Sequence, residues 1–137
     1  AIKGGMKKVR DSRWMLNSSD TAVAISQFFS FSIYQGLRLF LIKPLTGKTH
    51  QIRVALKSIG SPILGDELYK GLSADRTYLH AYCIRFSYQG KAICIICLPD
   101  KGDAFVCDET KLQITHLTTP WTLKWPNIKL PQQKNAG

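Results

Sequence analysis

The stretch Thr46-Gly47-Lys48-Thr49-His50-Gln51-Ile52-Arg53 sets two hydroxyls, two fixed cations, an imidazole and a carboxamide beside one glycine. A loop of this kind that opens a helix offers backbone N–H groups and the positive end of the helix dipole to an anion such as phosphate. Gly47 lets a second backbone come close. The same residues equally suit a capped turn with only structural duty. Arg53 never loses its charge, so it suits a carboxylate that must stay ionised. His50 and Gln51 are read either as contacts to a bound partner or as residues that close the helix start. Further along, Gly65, Asp66 and Tyr69 read as a structural turn, with Asp66 able to bond backbone amides in an Asx-turn. Lys43, Lys48 and Arg76 are candidate phosphate contacts.

Two other residue sets are weighed for chemistry and set aside. Cys94 and Cys97 form a Cys-x-x-Cys, a spacing used for zinc or redox work. They lie in Ala92-Ile93-Cys94-Ile95-Ile96-Cys97-Leu98, which reads as a buried strand. Strand alternation sends positions three apart to opposite faces, so the two thiols do not converge on one metal. Cys83 and Cys107 complete the four cysteines and form no second pair of that kind. His80 reads as a hydrogen-bonded strand residue without a catalytic role, and His116 as a surface residue.

The elements that must position these groups follow from pattern. Ser12–Leu16 reads as a short strand and Thr21–Ser32, rich in Val, Ile and Phe, as another. Tyr34-Gln35-Gly36 turns the chain into a strand over Leu37–Leu45. Thr49 is the expected N-cap of a helix over His50–Ser58. Ile52, Leu56 and Ile59 are its core face, Arg53 and Lys57 lie on an adjoining face, and Gly60 is its stop. Tyr78–Tyr88 and Ala92–Pro99 read as a hairpin around Gln89-Gly90-Lys91, and Ala104–Leu112 as a weak helix. Ala1–Asp11 lacks periodicity and reads as a mobile loop. Residues 1–119 form one domain. Residues 120–137 form a tail rich in Pro and Trp, stapled by Trp121 and Trp125, with Lys129–Gly137 frayed.

Composition narrows the class. The chain has 137 residues, 45% of them hydrophobic, enough for one buried core. The formal net charge of +10 attracts polyanions and argues slightly for nucleic acid. There is no secretory leader pattern at Ala1–Arg10, and Ala92–Leu98 is far too short to span a bilayer. A reduced, cytoplasmic protein without a membrane partner is the expectation.

The run Pro44–Val54, followed by Gly60-Ser61-Pro62-Ile63-Leu64-Gly65-Asp66-Glu67-Leu68-Tyr69 and then by Leu79-His80-Ala81 with Phe86, resembles the RluA-type RNA pseudouridine synthases. The motifs stand in that family's order and spacing, over roughly Gly36–Pro99. The resemblance implies an α+β fold, the C-terminal part of the pseudouridine synthase fold: a mixed, mostly antiparallel sheet with flanking helices. It implies cleavage of the uridine C–N glycosidic bond and rejoining of the base through carbon, with neither metal nor organic cofactor. The partner would be ribosomal or transfer RNA. A uridine inside folded RNA must leave its stack to be reached, at a cost of a few kcal/mol, so a basic docking face and a snug apolar site are both needed.

By the same resemblance Arg53 partners the catalytic aspartate. Thr46, Gly47, Lys48, Thr49, His50 and Gln51 contact RNA, and Leu79 lies near the uracil. The family's His-Arg-Leu-Asp segment, which carries the aspartate, has no counterpart here. None of the nine acidic residues follows an Arg-Leu pair, and the family's tyrosine motif is absent as well. The expectation is that the catalytic first half lies outside this sequence and that this chain alone is inactive. It should expose a sheet edge and an apolar face through which it associates. The rival reading is a non-catalytic RNA-binding module that keeps the docking face.

Overall fold

The computed structural model describes residues 1–9, 13–17 and 23–128. Four antiparallel strands, β1 (Ile2–Lys8), β2 (Trp14–Asn17), β3 (Val23–Tyr34) and β4 (Leu37–Pro44), form one sheet in the order β2-β1-β3-β4. A separate hairpin joins β5 (Cys83–Tyr88) to β6 (Lys91–Ile96). The described residues also form three α-helices, α1 (Gln51–Ser58), α2 (Asp103–Val106) and α3 (Asp108–Thr115), and two short 3-10 turns at Glu67–Tyr69 and Pro120–Thr122. Strand pairs and helices of this kind make an α+β fold, as expected.

β3 is the spine. Its β-branched and aromatic residues favour a pleated ladder, and residues 23–27 are buried. Ala24 packs with Met6, Val54 and Tyr69, on the side that α1 covers. The opposite side carries Ile25, with no exposed surface, and Gln27, 2% exposed. There the tail is drawn in. Gln27 Nε2 donates to the Pro126 carbonyl, Trp125 meets Phe29 edge-on at 4.7 Å, and Lys43 lies 5.5 Å from the Trp125 ring. Trp121 sits under Arg85 at 4.5 Å. Both tryptophans are therefore held by the body of the fold, as the stapled tail requires. Lys129–Gly137 falls outside the described residues.

Several expectations are corrected. Ile2–Lys8 is a strand and not a loop, because it pairs with β2 and β3. Long-range pairing supplies the order that its glycines and lysines do not advertise; Arg10 and Asp11 lie outside the described residues. The second strand is Trp14–Asn17 and the third Val23–Tyr34, with Ser12 and Thr21 outside the described residues. Thr49 does not cap α1. His50 occupies that position in the left-handed region (φ 55°) without a side-chain cap. The buried face of α1 is Gln51, Val54, Ala55 and Leu56, while Ile59 is 43% exposed. Regular pairing of the later hairpin starts only at Cys83, and Tyr78–Tyr82 runs as irregular chain. The weak helix is two helices broken at Cys107, whose backbone is extended.

The largest departure is the hairpin. Gln89 (φ 46°) and Gly90 (φ 72°) make the two-residue turn that right-twisted strands prefer. Yet Ala92–Leu98 is not buried: Ile95, Ile96 and Leu98 are 52%, 41% and 62% exposed, and Ile84 and Tyr88 opposite are 57% and 60% exposed. Apolar sequence guarantees burial only when another layer covers it; Trp121 meets the hairpin at Arg85 and leaves these residues open.

Candidate functional site

The chain between β4 and the end of the following loop folds into one interlocked unit around Gln51. This carboxamide is 5% exposed. Its Oε1 accepts from Thr46 Oγ1 (2.7 Å) and Lys48 N (3.0 Å), and its Nε2 donates to Ile25 O and Ser26 Oγ (both 2.9 Å). Thr46 Oγ1 in turn accepts from Ile25 N at 2.9 Å. Both ends of the amide are thus used inside the chain, and Gln51 rivets the loop and helix start to β3. These bonds tie the helix start to β3, the second of the two roles the sequence offered for Gln51. Gly47, Lys48 and Thr49 remain exposed at the helix start, and no atom lies within 4 Å of where a Gly47 Cβ would stand.

Arg53 stands on the second turn of α1. Its Nε and Nη2 donate to the two carboxylate oxygens of Asp66, each at 2.8 Å, and its guanidinium lies 4.9 Å from the Tyr69 ring. The Asp66 side chain is 2% exposed and that of Arg53 24%. Fork-to-fork pairing of this type fixes orientation as well as charge. The Arg53 hydrogen bond holds the Asp66 carboxyl below its ordinary range despite burial, and the same bond raises Arg53. The Tyr69 hydroxyl and His50 Nδ1 share a hydrogen bond of 2.8 Å, with the rings edge-on at 5.7 Å. Burial, then the Arg53 charge, lowers His50, partly countered by Asp66. The imidazole is therefore neutral at neutral pH.

A tight loop brings Asp66 to Arg53. Gly65 N donates to Leu72 O (2.7 Å), Gly71 N to Asp66 O (2.8 Å) and Tyr78 N to Leu64 O (2.9 Å). Gly65 has φ 78°, and a Cβ there would stand 1.8 Å from the Arg76 carbonyl oxygen. A second lock ties this loop to α2. Tyr78 OH donates to Asp75 and accepts from Ala104 N, while the other Asp75 oxygen accepts from Asp103 N. Arg76, proposed from sequence as a phosphate contact, spends Nη1 on Lys101 O and lies over Phe105.

Leu79 is 40% exposed and lines an open apolar groove of about 1190 Å³, together with Leu41, Ile52, Leu56, Ile84 and Phe105. Arg53 and Asp66 are not among its walls. The structure thus gathers Thr46, His50, Gln51, Arg53, Asp66 and Tyr69 and leaves Leu79 on a different surface of α1. His80 Nε2 bonds Cys97 O at 2.7 Å, in keeping with a structural role. Cys94 and Cys97 are free and exposed. Sequence reading missed Asp66 as the partner of Arg53, and His50 as the partner of Tyr69. The signal present was only their placement in one motif, since neither separation follows a helical or strand period.

The chain is similar in sequence to proteins named as RNA pseudouridine synthases. No protein-family model matches the chain. It is 47% identical over 126 residues to an uncharacterized RNA pseudouridine synthase of Haemophilus influenzae, covering 90% of this chain and 56% of that protein. It is 53% identical over 51 residues to an uncharacterized RNA pseudouridine synthase of Helicobacter pylori, covering 35% of this chain and 21% of that protein. It is 50% identical over 42 residues to the dual-specificity RNA pseudouridine synthase RluA of Vibrio cholerae, covering 28% of this chain and 17% of that protein. The class these define is RNA pseudouridine synthase. Within it, the Thr46–Arg53 and Gly65–Tyr69 motifs and these relatives support an RluA-type family. The chain spans about half the length of the Haemophilus relative or less of the others. No helix of the described residues is long and apolar enough to cross a membrane.

Proposed function

We propose that this chain is the arginine-bearing part of an RNA pseudouridine synthase that isomerises uridine to pseudouridine in ribosomal or transfer RNA. The observation that carries the reading is the Arg53–Asp66 pair. A guanidinium has five N–H donors, and Asp66 takes two of them. Those that remain suit a second carboxylate on the solvent-reached side, the catalytic aspartate that the family resemblance puts on a segment outside this sequence. Asp66 neutralises and aims Arg53; Arg53 keeps the second carboxylate ionised beside phosphates. Exposed Gly47, Lys48 and Thr49 at the start of α1 are suited to a flanking phosphate. Leu79 supplies apolar surface from the groove. Among the described residues no three His, Cys, Asp or Glu stand together as a metal site needs, and the isomerisation balances without an added reactant.

The test is pseudouridine formation by the full-length protein on uridine-containing RNA, read as carbodiimide-dependent stops in primer extension. Arg53→Lys keeps the charge but loses the fork. It should lower turnover on the order of 10²-fold, as for loss of a preorganised electrostatic group, with RNA affinity little changed. The 137-residue chain alone should bind RNA weakly and form no pseudouridine. RNA binding without product by the full-length protein would sink the enzyme reading and favour the non-catalytic module.

A further inference from the structure

Most of the net charge of the chain lies in one half of the fold. Residues 1–58, which hold β1 to β4 and α1, contain ten Lys and Arg against two Asp, a net +8. Residues 59–128 contain seven of each sign and are neutral. Among the described residues up to Ser58 there is no acid at all. The neutral half shows water an apolar surface instead, at Ile84, Tyr88, Ile95 and Leu98. A polyanion larger than one nucleotide therefore gains Coulomb energy from the four-stranded sheet and α1 and little from the β5–β6 hairpin or α2 and α3.

Within the basic half the cations point in two directions. Lys48 and Lys57 are exposed, at the start and on the last turn of α1, beside the Arg53 cluster. Lys3 and Lys7 of β1 point the other way. Lys3 is in register with Ile25 and Lys7 with Met15, on the sheet face away from Met6, Ala24 and α1. Both lysines are exposed and Met15 beside Lys7 is 52% exposed, so this end of the face is open. Neither lysine is in an ion pair with a described residue. Four residues of strand separate them by about 13 Å, so they are not mutually screened neighbours but two points along a line.

We propose that β1 is a second phosphate-contact strip, which rests on the RNA reading above. The RNA backbone beyond the target nucleotide crosses the β1–β2 side of the sheet and is held by Lys3 and Lys7. The footprint is then larger than the loop that carries the uridine, and structured RNA is preferred over a short single strand. Beyond the apolar surface of Leu79 at the target uridine, the neutral half makes no phosphate contact.

The test uses the full-length protein and a fluorescein-labelled RNA stem–loop with a uridine in its loop, with anisotropy followed across a salt series. Each phosphate contact contributes roughly 0.7–0.9 to the slope of log affinity against log salt. Lys3→Gln with Lys7→Gln should lower the slope by about 1.4 to 1.8 and weaken binding roughly tenfold or more at low salt. Lys91→Glu with Lys111→Glu, on the neutral half, should leave the slope unchanged. Circular dichroism melts establish that the variants are folded, and the single variants replace the double one if it is not. A wild-type slope in the β1 variant, or an equal loss in the neutral-half variant, overturns the proposal. Pseudouridine formation is followed in parallel on wild type, so loss of the docking strip and loss of the enzyme reading give different outcomes.

Discussion

Asp66→Ala and Arg53→Ala should not cost the same, and the asymmetry can be worked from burial. Breaking a buried ion pair by removing one partner costs roughly 3–5 kcal/mol, because the survivor is left as an uncompensated charge. Asp66 is 2% exposed and Arg53 24%. When Asp66 is removed, water reaches the guanidinium and recovers part of the loss, so we expect about 2–3 kcal/mol. When Arg53 is removed, a carboxylate is stranded at 2% exposure, and about 3–5 kcal/mol is expected at neutral pH. The two losses should also respond differently to acid. In the wild type the Asp66 carboxyl titrates below its ordinary value because Arg53 bonds it. The pair's contribution is therefore present above the unfolded value near pH 4 and is lost as pH falls through the lowered folded one. In Arg53→Ala the stranded carboxyl titrates high instead. That variant's deficit should shrink as pH falls toward about 4, whereas the deficit of Asp66→Ala persists until Asp66 of the wild type protonates. The assay is urea unfolding of both single variants and the double variant at neutral pH and near pH 4, with the coupling energy taken from the cycle. Equal single costs, or a coupling below about 0.5 kcal/mol, would refute the claim that this pair organises the site.

Four further outcomes are expected. Gly65→Ala should lower stability by several kcal/mol or prevent folding, since its Cβ would overlap the Arg76 carbonyl at 1.8 Å and φ is positive, whereas Gly36→Ala meets no atom within 4 Å and should cost roughly 1 kcal/mol; thermal melts compare them. Gln51→Leu should cost about 2–4 kcal/mol by stranding the Lys48 N–H and the Ser26 and Thr46 hydroxyls, while Ile25 O keeps the Leu45 N–H, and backbone amide exchange at residues 45–52 should rise with it. The folded state keeps His50 neutral, so the unfolded chain binds more protons. Stability should fall as pH drops below about 6.5, and His50→Gln should flatten that slope in urea midpoints taken across the range. The apolar β5–β6 face should make the isolated 137-residue chain self-associate in light scattering. Ile84→Lys with Ile95→Lys should restore a monomer, and a wild-type chain that is monodisperse would remove this expectation.

Which parts of this protein were legible in sequence follows from the range of the interactions involved. The β3–β4 hairpin, α1 and the β5–β6 turn were readable because their signals are local: β-branched alternation, glycine at a turn, and a helix stop at Gly60. The family was readable because its motif is a string of neighbours in sequence. Other features depend on partners far along the chain. β1 looks like a loop until β2 and β3 pair with it. His50, and not Thr49, begins α1 because the Gln51 amide is pulled into hydrogen bonds with β3, 25 and 26 residues away. Asp66 meets Arg53 only because Gly65 and Gly71 let their loop close on itself. Ala92–Leu98 has the composition of a buried strand, but exposure is set by what covers a strand, and residue type does not specify that. The sequence by itself determined the chemical groups, their charge and the short elements that carry them. The tertiary structure decided which groups meet, because a buried carboxylate and its cation are brought together by chain closure over distances at which no local pattern acts.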